Sequence, residues 1–153
     1  MPTGQLAGKM GTLMDLVTHL PGEIWFWTNP KQADTHWEED LLNIVKQKTL
    51  LLLDRGFYHF AFWQEIIDIK IDFITRIKQG ASYQVEQVLT RRYDIKDCII
   101  KIGSGTKKTP IITVRLVEIR SGQAWHSYLT SVLDPRILPP YVVADLYRRR
   151  WRI

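Results

Sequence analysis

Asp54 ends an unbroken aliphatic run, Leu50, Leu51, Leu52 and Leu53, and is followed by Arg55, Gly56 and Phe57. A run with no polar face fits a strand covered on both sides. A carboxylate at its carboxyl end stands where α/β folds place ligands, in the crevice beyond the strand ends. Asp54 is thus the best single candidate for chemistry. The same residue also fits a purely structural part, because an Asp shortly before a Gly often caps the turn that follows. A second concentration of reactive types is cationic: Arg148, Arg149, Arg150 and Arg152, interleaved with Tyr147 and Trp151. These four arginines account for four of the five net positive charges of the 153-residue chain. Basicity collected in one place beside aromatic residues suggests a local phosphate-binding feature, and a solvated basic helix end is the plainer alternative.

These side chains need a folded scaffold, and the composition supplies one. The chain is 45% hydrophobic and 24% charged, with six Trp, six Tyr and five Phe, which excludes a disordered chain and fits a single soluble globular domain. Its longest purely aliphatic run, residues 50–53, is far short of the roughly 20 residues that span a bilayer, and no signal pattern opens the chain, so a cytoplasmic location is expected. Cys98 is the single cysteine and reads as a small, buried apolar residue.

Residues 10–17 and 24–27 are apolar segments separated by His19, Leu20, Pro21 and Gly22, the pattern of a hairpin. Thr35 and Glu38 form a capping box for a helix over 35–46, in which His36 is a first-turn surface residue. After the Leu50 strand, residues 60–68 have helical spacing with Phe60, Trp63, Ile66 and Ile67 on one side, and residues 71–77 alternate as a strand. Strand, helix, strand predicts a crossover in a parallel sheet. Residues 83–133 are rich in Val, Ile, Thr and Tyr, with turn signals at Gly103, Gly105 and Gly122, and predict an antiparallel meander. The stretch from Gly103 to Lys108 lacks the spacing and following helix of a phosphate loop, so it reads as a flexible hairpin tip. Pro139 and Pro140 open a last helix carrying Val142, Val143, Leu146, Tyr147 and Trp151.

Two segments resemble one family. Leu50-Leu51-Leu52-Leu53-Asp54-Arg55-Gly56-Phe57-Tyr58 followed by Phe73-Ile74-Thr75-Arg76-Ile77-Lys78 resembles the second-aspartate region of insertion-sequence transposases of the Asp-Asp-Glu type. Leu146-Tyr147-Arg148-Arg149-Arg150-Trp151-Arg152-Ile153 is similar to the start of the Tyr-Arg-Glu-Lys signature of the insertion sequence four family. The resemblance implies a ribonuclease H-like mixed α/β sheet with an antiparallel β insert. It divides the chain into a core over 1–80, an insert over 81–134 and the start of the glutamate-bearing helix over 139–153. It implies that Asp54 is a metal ligand for Mg2+ or Mn2+, and that the partner is DNA at transposon ends, with self-association in a synaptic complex and a place at the nucleoid.

By the same resemblance Tyr147 and Arg150 contact the DNA backbone, with Arg76, Arg148, Arg149 and Arg152 as further DNA-binding candidates. Asp15 aligns with a non-catalytic strand. Counting along the signature puts its glutamate after Ile153, and the first aspartate has no counterpart upstream of residue 10. The expectation is therefore a fragment incomplete at both ends, with one of three carboxylates and no activity alone. A non-catalytic module binding DNA through its Arg cluster is the alternative.

Overall fold

The computed structural model describes residues 9–14 and 21–27 as backbone, and residues 50–149 in full. The chain divides into two compact units, Met1–Lys46 and Gln47–Ile153. In the first, β1 (Lys9–Met14) and β2 (Pro21–Trp27) pair antiparallel from Lys9 opposite Trp27 to Met14 opposite Pro21, the predicted hairpin. Pro21 already lies in β2, at its first position, where the missing N–H costs the ladder least. The helix expected over 35–46, with His36, and Asp15 lie outside the described residues.

The second unit is built on one sheet. Its strands are β3 (Leu50–Leu52), β4 (Asp72–Arg76), β5 (Tyr83–Arg91), β6 (Ile95–Ile102), β7 (Ile112–Ser121) and β8 (Ala124–Thr130), in the order β3-β4-β8-β7-β6-β5. β3 and β4 are parallel, Leu50 opposite Asp72 and Leu52 opposite Ile74. Parallel neighbours cannot be joined by a tight turn, and α1 (Phe60–Asp68) makes the crossover. Every other pairing is antiparallel. The segment expected as an insert continues the same sheet, because β8 pairs with β4 from Ile74 opposite Thr130 to Arg76 opposite Tyr128.

The leucine run is covered on both faces, as its lack of polar positions requires. Leu50 and Leu52 pack on the cluster containing Ile74, Val117, Tyr128, Val143 and Tyr147. Alternation turns Leu51 and Leu53 to the other face, and both are buried. On that face α1 lays Trp63 against Phe73, ring centroids 5.3 Å apart, and Trp63 Nε1 donates to the Phe57 carbonyl at 3.0 Å. The buried side of α1 is Phe62, Trp63 and Ile66. Phe60 and Ile67, expected on it, are only half-buried. The first turn explains Phe60, whose ring meets Tyr58 at 5.6 Å and Trp63 at 5.1 Å instead of entering the sheet interface.

The first face is closed by α2 (Pro140–Arg149), which starts where Pro139 O accepts from the amides of Val142 and Val143. Its approach is fixed by a charged group. Arg115 on β7 and Asp97 on β6 have fully buried side chains and form a two-point pair, Nε to Oδ1 at 2.7 Å and Nη2 to Oδ2 at 2.8 Å. Arg115 Nη1 donates to the Leu138 carbonyl at 2.6 Å and more loosely to that of Val132 at 3.4 Å. No described helix is long and apolar enough to cross a membrane.

Removing one member of a buried ion pair leaves the other charge uncompensated, a loss of about 3–5 kcal/mol. Asp97→Ala is expected to lower the urea-unfolding stability by that amount. Arg136→Ala, which breaks only the exposed pair with Asp134, is expected to leave the midpoint in place.

Candidate functional site

Asp54 follows β3 in an extended conformation, φ −80° and ψ 175°, and begins a 3-10 turn over Arg55–Phe57. Its Oδ1 accepts from the Gly56 amide at 2.8 Å, so the capping part read from the sequence is filled. The carboxylate stays half-exposed at the strand end. The residue before it is held from two directions: the Leu53 carbonyl accepts from Thr75 Oγ1 at 2.8 Å and from the Tyr147 hydroxyl at 2.9 Å.

β3 and β4 are parallel with Leu52 opposite Ile74, so Asp54, just after β3, and Arg76, the last residue of β4, both stand at the carboxyl end of the pair. Beside Arg76 a cavity of about 140 Å³ is lined by Arg76, Ile119, Ser121, His126, Tyr128, Ala144, Tyr147 and Arg148. Its floor is buried and largely aromatic, from Tyr128, Ala144 and Tyr147. Arg76 and His126 are half-buried at its sides, and Ser121 and Arg148 are exposed at its rim. The structure thus brings Arg76, Tyr147 and Arg148 together at the end of the sheet where Asp54 stands.

The remaining candidates separate. Arg149 pairs with Asp145 one turn earlier, at 3.1 Å. Arg150, Trp151 and Arg152 lie outside the described residues. Tyr147, to which the resemblance assigns a DNA contact, is buried, with its hydroxyl turned inward onto Leu53 and its ring 5.6 Å from that of Tyr128. Cys98 is half-buried, and its burial, with the nearby Glu118 and Asp97 carboxylates, pushes its thiol above the ordinary range and disfavours the reactive thiolate. In the Gly103–Lys108 stretch the amides of Ser104 and Gly105 both donate to the Thr109 carbonyl, at 3.0 and 2.9 Å. A phosphate loop needs such amides pointed outward; here they close the hairpin tip.

His126, Ser121 and Thr75 were missed in the sequence, as was the Arg115–Asp97 pair. That pair had a signal: Arg115 sits between Val114 and Leu116, and Asp97 two residues after Ile95, at positions where an apolar residue would fit the core. A lone His in a strand carries no comparable sign. Among the described residues no three His, Cys, Asp or Glu side chains come together to hold a metal ion.

A family model described as "Transposase DDE domain" matches residues 5–153. The chain is 29% identical over 156 aligned residues, 95% of its length, to the transposase InsG of insertion sequence element IS4 from Escherichia coli K12. It is 30% identical over 119 residues, 71% of its length, to y4zB of Sinorhizobium fredii, a protein named as a candidate transposase. The chain spans about a third of the length of these curated relatives, 34% of the first and 32% of the second.

Proposed function

The chain belongs to the transposase DDE domain family, and on that premise we propose that it is part of a DNA-cutting catalytic domain, with Asp54 as one of its acidic ligands and Arg76 and Arg148 as its grip on a DNA phosphate. The observation that carries this reading is the convergence at one strand end. Asp54 follows β3, Arg76 ends the parallel neighbour β4, and Arg148 of α2 lines the same cavity as Arg76. Members of this family work with divalent metal, and carboxylate oxygen is the donor that Mg2+ and Mn2+ prefer. Asp54 has the right chemistry, but the described residues do not by themselves make a metal centre. The other acidic ligands fall to positions outside them.

The cationic side is better furnished. Among the described residues no carboxylate is paired with Arg76 or Arg148, and the second donates only to the carbonyl of Ala144 in its own helix, at 3.3 Å. Arginine presents a planar fork of donors that fits phosphate oxygens in pairs. His126 and Ser121 add donors around the same cavity. Its volume, about 140 Å³, leaves room for a group the size of a phosphate. Arg150 and Arg152 are proposed as further backbone contacts on the strength of the resemblance. The chain on its own is thus read as binding DNA, with cleavage dependent on acidic groups beyond Asp54.

Fluorescence anisotropy with a short duplex tests the grip. Affinity is expected to fall steeply with salt, the slope of log K against log salt being about −0.9 per phosphate neutralised. Arg148→Ala and Arg76→Ala should each flatten that slope by about one, and Arg136→Ala should not. Equal losses at all three positions would remove the case for this cavity.

A nicking assay with Mg2+ or Mn2+ tests the carboxylate. The purified chain is expected to leave a supercoiled plasmid intact. Cleavage that disappears in Asp54→Ala would show instead that the chain carries a complete centre.

A further inference from the structure

The carbonyl of Leu53 belongs to the peptide that joins it to Asp54, so whatever holds that oxygen sets the plane from which Asp54 departs. Two buried hydroxyls hold it, Thr75 Oγ1 at 2.8 Å and Tyr147 Oη at 2.9 Å. A carbonyl oxygen has two lone pairs, and both are engaged here. The two donors differ in origin. Thr75 lies on β4, the strand already paired with β3. Tyr147 lies on α2, 94 residues after Leu53 and next to Arg148.

We propose that Tyr147 is a positioning residue: its hydroxyl locks the Leu53–Asp54 peptide to α2, so that the helix that grips DNA and the strand end that carries Asp54 move as one body. The proposal rests on the reading of Asp54 and α2 given above. It assigns Tyr147 to Asp54 instead of to a DNA phosphate. The residue is 2% exposed, and a hydroxyl turned toward solvent would abandon both a buried acceptor and a buried ring site. Tyr147→Phe keeps the ring and its packing on Tyr128, and removes the hydroxyl that makes the link. Thr75→Val deletes the other donor without touching α2, and Thr75→Ser restores a hydroxyl.

The test uses the full 15N-labelled chain and a short DNA duplex. In Tyr147→Phe the amides of Asp54, Arg55 and Gly56 are expected to exchange about fivefold faster, as for a local opening, while those of Val114 and Leu116 in β7 keep their protection. DNA affinity should stay within about twofold of wild type, since lost phosphate contacts would cost more. Saturating DNA should shift the Asp54 and Gly56 amides in wild type and in Thr75→Ser, and in Thr75→Val as well, but much less in Tyr147→Phe.

Unchanged exchange at Asp54 in Tyr147→Phe would overturn the proposal. So would a tenfold loss of DNA affinity in that variant, which would return the hydroxyl to the phosphate, or an undiminished DNA-induced shift. If wild type fails to bind DNA, the functional reading falls by itself. Faster exchange at Asp54 in the DNA-free variant would then still support Tyr147 as the residue that holds this peptide.

Discussion

A fully buried guanidinium has to be satisfied on every side, and the way Arg115 meets that demand organises the second unit. Two of its nitrogens pair with Asp97 on the neighbouring strand, and a third reaches the Leu138 carbonyl at 2.6 Å. Burial of the two charges is tolerable only with such geometry, because both have left water and each meets its opposite at two points. The last contact has the longest consequence. Leu138 directly precedes Pro139 and Pro140, so the bond sets the point at which α2 begins.

From that starting point the course of α2 follows from its sequence. Proline opens it because the first turn has no partner for an N–H. Val143, Ala144 and Tyr147 recur at helical spacing and enter the cluster on the sheet. The same spacing puts Arg148 beside the cavity and Arg149 against Asp145. Tyr147 is the furthest of the buried set, and its hydroxyl arrives at the Leu53 carbonyl. The charge pair in the meander and the carboxylate at the end of β3 are thus connected by a continuous run of bonded and packed groups. The meander is no appendage in this arrangement: through β8 it pairs with β4, and through Arg115 it sets the start of α2.

Asp54 does two things at once. It caps the turn over Arg55–Phe57 through Gly56 and stays half-exposed at the end of β3. The capping bond is compatible with a ligand role, since a carboxylate has more lone pairs than one amide can use.

Much of the fold was legible in the residues. The hairpin of β1 and β2, the parallel pair joined by α1, the antiparallel meander and the proline-opened last helix all follow from local patterns: alternation, helical spacing, and Gly or Pro at turns. Asp54 was legible because an unbroken leucine run can end in only a few ways, and the Arg cluster because like charges are conspicuous. The sheet order was not legible, since it depends on β8 returning to β4 across more than 50 residues. Nor was the inward turn of Tyr147. A tyrosine among arginines looks alike in sequence whether its hydroxyl meets a phosphate or a carbonyl. What the sequence by itself determined is the set of elements and the residue types at their ends, because propensity and periodicity act over a few neighbours. Only the tertiary structure decided which hydroxyls hold the peptide before Asp54 and which cations share its end of the sheet, because those contacts join residues 22 and 94 positions apart.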